Sequence, residues 1–167
     1  QRLSTVYFPG NKITMLPQQA VEGFTLQEGR HCPALSMYIE LTPELEVVST
    51  DSRIESVQIA ANLRNEQLEK HFNDEALAAG TDGDYPFKAE LRLLFDFARK
   101  LEIGRGKADP NRPPQVDYAF AVDNDRITIS KRKRGAPIDK LVSELMIFIN
   151  CRWGALLAEH NVPGIYR

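Results

Sequence analysis

A chain of 167 residues, 43% hydrophobic and 26% charged, has apolar content enough for a real core. Its formal net charge of −2 excludes a whole-molecule attraction to nucleic acid, so any such contact must be local. Cys32 and Cys151 stand far apart with no CxxC or His-rich spacing; that excludes a zinc site and a disulfide framework, and the pair reads as buried thiols in a reducing cytoplasm.

The first element, LSTVYF, is β-branched and aromatic and enters a turn at Pro9-Gly10, which predicts a strand followed by a short loop. MLPQQAVEG then predicts one helical turn begun at Pro17. In ALSMYIELT the apolar Leu35, Met37, Ile39 and Leu41 alternate with polar or small neighbours, the period of a half-buried strand. Leu45 to Ala60 supplies one or two more strands with weaker alternation, and together these suggest an antiparallel meander.

From Asn62 to Ala79 the period becomes helical, with Leu63, Leu68, Phe72 and Leu77 at three-to-four spacing before the break GTDGDYP. PFKAELRLLFDFARKLEIGRG predicts an amphipathic helix with Leu91, Leu94, Phe95, Ala98 and Leu101 as its stripe. The three prolines of ADPNRPPQ predict a loop. VDYAFAV and RITIS, joined through Asp123-Asn124-Asp125, form the clearest hairpin, and KRKRGAP leads to a last helix with Pro137 near its first position. That helix is so apolar that burial on every side is expected. Strands, two helices, a hairpin and a buried helix predict an α+β fold with a mixed or antiparallel sheet and packed helices. The expected parts of this single domain are strand-rich 1–60, helical 62–108, and hairpin with buried helix 116–161.

Chemistry is harder to find. The acidic pairs Asp82/Asp84 and Asp123/Asp125 lie in turn sequences, where such residues serve the turn, and no metal ligands are assigned. His31, His71 and His160 are scattered with no nucleophile beside them, and GRGKAD lacks the spacing of a phosphate-cradling loop. The one local charge cluster is Lys131, Arg132, Lys133 and Arg134. Such a run contacts phosphates when an aromatic platform stands near it, and Tyr7, Tyr118 and Tyr166 are the candidates. In the last helix, at about 100° per residue, Ser143, Asn150 and Gly154 share one direction while Glu144 falls with Lys140, Ile147, Phe148 and Cys151. No stretch of roughly 18 charge-free apolar residues occurs and QRLSTVYF is not a signal peptide, so no membrane partner is expected.

Several stretches in order, TVYFPGNKITMLP, RIESVQIAANLRNEQL, VDYAFAV with its basic strand, and KLVSELMIFIN with AEHNVPGIYR, resemble the RNB catalytic domain of the ribonuclease II and ribonuclease R family. The resemblance runs from about Thr5 to Arg167. It implies a processive, hydrolytic 3′ to 5′ exoribonuclease acting on single-stranded RNA with Mg²⁺ held by an aspartate cluster. That cluster, an arginine-bearing catalytic segment and the RNA-binding S1 and cold-shock modules are expected outside this chain, which looks like an interior part of the domain and is expected to be inactive alone.

The family tyrosine that helps hold the 3′-terminal nucleotide matches Tyr7. A family glutamate that acts with it falls on Ser143, with Glu144 next to it. The base-stacking tyrosine falls on Asn65, and its aromatic partner falls near Arg112, where none exists. The resemblance therefore places Tyr7, Ser143 and Glu144 near the RNA 3′ end and Lys131 to Arg134 near phosphates. The alternative is a catalytically degenerate RNB-like domain that binds RNA or regulates, and a structural domain unrelated to RNA is a third reading.

Overall fold

A computed structural model describes residues 4–8, 11–63, 65–81, 83–107, 116–123, 126–133 and 135–164, with the backbone alone at 65, 66, 117, 119, 132 and 133. Helices and antiparallel strand pairs make the fold α+β, as the order of elements predicted. The chain divides into two compact units. Gln1–Leu41, Val47–Leu63 and Val116–Lys133 form the first; Thr42–Glu46, Arg64–Gln115 and Arg134–Arg167 form the second. The hairpin and the last helix, grouped together in the sequence reading, thus fall into different units.

Among the described residues the strands form three separate two-stranded ribbons rather than one meander. Alternation identifies a strand and its inner face, but not which edge pairs with which. In the first unit β1 (Val6–Phe8) pairs with β2 (Asn11–Ile13), placing Tyr7 opposite Lys12. Only two residues separate Phe8 from Asn11 in the sequence, the loop length of a tight hairpin, so the stretch expected as loop is a return strand. Helix α1 (Gln18–Phe24) starts at Pro17, whose carbonyl accepts from the Ala20 and Val21 N–H groups at 3.0 and 3.1 Å. α1 packs on β3 (His31–Leu41).

β3 and β4 (Val47–Gln58) form a long ribbon whose register shifts between Glu40 and Leu41. Its base is tied by reciprocal bonds: the Glu28 N–H donates to Asn62 Oδ1 and the Asn62 N–H to Glu28 Oε2, both at 2.9 Å. Cys32, fully buried, donates its thiol to the Thr25 carbonyl at 3.0 Å. Directly opposed residues share a face. Leu35 faces Ile54, while Ser36 faces Arg53 and Tyr38 faces Asp51. On that polar face Arg53 Nε meets Asp51 at 2.7 Å, its guanidinium lies 4.4 Å from the Tyr38 ring centroid, and the Tyr38 hydroxyl donates to Glu55 at 2.9 Å. The third ribbon joins β5 (Val116–Asp123) and β6 (Arg126–Lys133), the hairpin expected from VDYAFAV and RITIS.

The second unit is helical. The region 62–79, expected as one helix, is broken into α2 (Asn65–Leu68) and α3 (Asp74–Ala79). Asn73 makes the break: its Oδ1 accepts from the Ala76 N–H at 2.9 Å as N-cap of α3, and its Nδ2 donates to the Glu69 carbonyl at 2.9 Å. A short polar side chain that satisfies the backbone on both sides competes with helix continuation. Gly80 closes α3 at φ 66°, a left-handed conformation that favours glycine.

α4 (Lys88–Gly104) buries Leu91, Phe95, Phe97 and Ala98. Leu94, expected in the stripe, is exposed. The core gathers on Phe72, fully buried, with Phe95 edge-on at 5.5 Å and Tyr85 at 6.0 Å; Leu68, Ile138 and Leu141 complete it. Burial of a phenylalanine contributes about 1.5–3 kcal/mol.

α5 (Pro137–Glu159) begins with Pro137 in its first turn, as predicted. Its burial differs from expectation: Pro137, Ile138, Leu141 and Glu144 are buried, whereas Val142, Met146, Leu156 and Leu157 are exposed. The buried residues all lie in its first eight positions, so among the described residues its apolar composition exceeds what packs on it. Cys151, read as a buried thiol, is exposed on this same helix; only Cys32 is buried.

The Tyr38 cluster makes a pH prediction. The Tyr38 phenol is raised above its ordinary value chiefly by its bond to Glu55, and Glu55 is lowered by the Ser36 and Tyr38 hydroxyls. Glu55 thus contributes stability above the ordinary carboxylate range, lost as pH falls through its depressed value. Tyr38 contributes below about pH 10 and loses the contribution as pH rises through its raised value. Alkaline ultraviolet titration, with Tyr38→Phe subtracted, will place Tyr38 above the ordinary tyrosine value. Glu55→Gln will move it down; no movement would show that the carboxylate does not hold the phenol.

Candidate nucleic-acid interface

In the first unit a three-residue strand carries Tyr7 with 77% of its surface exposed. The antiparallel register sets Lys12 directly across from it, and side chains so placed leave the same face about 5 Å apart. Phe24, at the end of α1, is also exposed. An open cleft of about 260 Å³ is lined by residues of the β1–β2 ribbon and α1, the exposed Tyr7, Lys12 and Phe24 forming its rim and the less exposed Thr5, Thr14 and Val21 its floor. Hydroxyls shape the floor: Thr5 Oγ1 accepts from the Met15 N–H at 3.2 Å, and Thr14 Oγ1 from the Leu16 N–H at 3.1 Å.

The basic strand gives a second aromatic–ammonium pair. Lys131 lies opposite Tyr118 in the β5–β6 register, and both are exposed. Arg132 and Lys133 continue β6 opposite Asp117 and Val116, and Arg134 and Tyr166 lie outside the described residues. An exposed ring beside an ammonium is the minimal surface for a stacked base and its phosphate.

In the second unit the neighbours Ser143 and Glu144 are placed differently. Ser143 is exposed on α5. Glu144 is only 6% exposed, and Arg105, just past the end of α4, grips it with two bonds: Nη2 to Oε1 at 2.6 Å and Nε to Oε2 at 3.1 Å. A planar guanidinium matches both carboxylate oxygens at once. One turn earlier on each helix, Lys140 pairs with Glu102 at 3.0 Å. Both oxygens of Glu144 are thus engaged, and Ser143 is the member of the pair that faces solvent. Tyr7 and Ser143 belong to different compact units.

Sequence reasoning missed Lys12, Phe24 and Arg105. For Lys12 the signal was present in the sequence: only two residues separate Phe8 from Asn11, and a strand returning after so short a connection sets position 12 against position 7. Arg105 gave none, because its partner is 39 residues away. Among the described residues no group of three or more His, Cys, Asp or Glu is placed to hold a metal ion. Asp82 and Asp125, each one half of an acidic pair, lie outside the described residues, as does Arg112.

A family model described as the RNB domain matches residues 1–167. The chain belongs to the RNB domain family. RNB relatives called exoribonuclease 2 match 99% of it: the protein from Vibrio vulnificus strain YJ016 is 29% identical over 174 residues, and that from Vibrio parahaemolyticus serotype O3:K6 is 27% identical over 172. The chain spans about a quarter of the length of these relatives, 25% in each case. No solved structure matches it significantly.

The Arg105–Glu144 clamp is open to test. Arg105→Met leaves a buried carboxylate without its cation and will lower stability in denaturant unfolding by about 2–3 kcal/mol, toward the low end for broken buried pairs because Arg105 is partly exposed. The double variant Arg105→Met with Glu144→Met will recover most of that loss. A double-variant loss equal to the sum of the two single-variant losses would mean the pair is not coupled.

Proposed function

We propose that this RNB segment belongs to a hydrolytic exoribonuclease that degrades single-stranded RNA from its 3′ end, and that the segment grips the RNA. The observation that carries the reading is Tyr7: the residue matching the family's 3′-terminal nucleotide contact stands exposed on its ribbon, beside an ammonium and above a cleft. The relatives' name, exoribonuclease 2, supports the same reaction class.

Tyr7 stacks on or abuts the terminal nucleotide, Lys131 with Arg132, Lys133 and Arg134 neutralises phosphates, and Ser143 supplies a hydroxyl that donates or accepts. Mg²⁺ is the metal the family resemblance implies; when bound it would supply water activation and charge neutralisation at the scissile phosphate. The described residues do not fit such a site. We assign the metal-holding aspartates to the rest of a longer polypeptide, and the whole protein to the cytoplasm without a membrane partner.

Two observations favour a second reading, RNA binding without cleavage. Asn65 stands where the family's stacking tyrosine is expected, and Glu144 is committed to Arg105. Base stacking is worth about 1–3 kcal/mol per base, so the replacement weakens the grip unless other rings supply it.

A single-stranded RNA labelled at its 5′ end, incubated with Mg²⁺, separates the readings. The longer protein will shorten it progressively and release nucleoside monophosphates, while the 167-residue chain will bind it and leave its length unchanged. Binding without shortening by the longer protein would establish the second reading. Trimming by the chain alone would contradict the placement of the metal centre.

A further inference from the structure

The cleft beside Tyr7 has a composition that neither the family resemblance nor the basic strand accounts for. Its lining holds one charged side chain, Lys12, with no carboxylate and no amide among the rest. In a chain of net charge −2, that makes the cleft locally cationic. Among the described residues Lys12 has no ion pair. Its charge is therefore available to an anion.

The second feature is the rim. Phe24 is 66% exposed and Tyr7 77%, and both line one small opening. Exposed single apolar residues are common, but two aromatic rings and an ammonium around one cleft are three of the elements that grip a nucleotide. The floor adds hydroxyls: Thr5 accepts from Met15 and keeps its own proton to donate. A volume of about 260 Å³ lies near the lower limit of ligand pockets, in keeping with one nucleotide unit rather than a larger molecule.

We propose that this cleft is a single-nucleotide subsite in which Lys12 pairs with a backbone phosphate and Phe24 joins Tyr7 in contacting a base. The inference rests on the reading of this chain as the RNA-gripping part of an exoribonuclease and extends it to two residues which that reading does not assign. It also sets specificity. The lining lacks Asn, Gln, Asp, Glu and Arg, and Lys12, the one side chain there that pairs with a base edge in other settings, is taken up by the phosphate, so the subsite accepts any base through its π-face.

Fluorescence anisotropy of 5′-labelled oligo(U) and oligo(A) on the 167-residue chain, over a potassium chloride series, tests the subsite. Lys12→Gln will lower affinity and reduce the salt slope by about 0.7, the share of one phosphate contact on a single strand. Lys12→Arg will restore both. Phe24→Leu will weaken binding of both oligomers alike, by about 5- to 50-fold, with an unchanged salt slope. Far-ultraviolet circular dichroism checks that these surface variants keep the fold. Wild-type affinity and slope in both variants, with the parent chain binding RNA, would overturn the subsite alone. Absence of RNA binding by the parent chain would overturn the functional reading beneath it.

Discussion

A two-pronged ion pair decides which side of the last helix is inside. Glu144 is the only buried charged residue among those described, and a carboxylate so placed is tolerable only because Arg105 meets both of its oxygens. The other contacts of α5 in its unit follow from that choice of face: Lys140 reaches Glu102 and Phe148 packs edge-on to Phe97 at 5.8 Å. Lys140, Glu144 and Phe148 are successive turns of one stripe. Ser143 and Asn150 lie on the other side and are exposed. The pair therefore presents the serine by holding the glutamate.

This division was legible in the sequence, because helical angles alone put Glu144 with Lys140 and Phe148 and put Ser143 with Asn150. Which of the two faces packs was not legible, since a helix this apolar offers several, and the deciding residue, Arg105, belongs to another element. The same limit explains the exposed Val142 and Met146: hydrophobic composition reports what a helix is able to bury, not what is there to cover it. Local grammar was read well elsewhere. Pro17 and Pro137 opened helices where expected, and the β5–β6 hairpin follows from its alternation. Asn73 was overlooked as a break because its leucine and phenylalanine neighbours kept the helical period on both sides. Cys151 shows that isolation from other cysteines says nothing of burial.

For RNA contact, the consequence of a net charge of −2 is that the grip must be built from small local units. The first compact unit supplies two of one kind: Tyr7 with Lys12, and Tyr118 with Lys131, each a cross-strand tyrosine and lysine on a two-stranded ribbon. A ribbon suits this task because its register places a ring beside an ammonium without long-range packing. On the proposed reading neither pair reads a base edge, and both would serve a protein that holds any sequence. That demand fits an exonuclease, whose substrate changes its terminal base with every step. On the same reading the two rings stand in for the stacking platform that the family resemblance places at Asn65, since stacking contributes about 1–3 kcal/mol per base wherever the ring is mounted.

The central claim is that the RNA 3′ end meets this chain at the Tyr7 ribbon. Photo-crosslinking of a single-stranded RNA carrying 4-thiouridine as its last nucleotide, followed by mass spectrometric mapping of the modified peptides, tests it most directly. The account predicts adducts concentrated in the peptides that contain Tyr7 and Phe24, reduced when Tyr7 is replaced by alanine. Adducts confined to other parts of the chain, or a pattern unchanged by Tyr7→Ala, would contradict it.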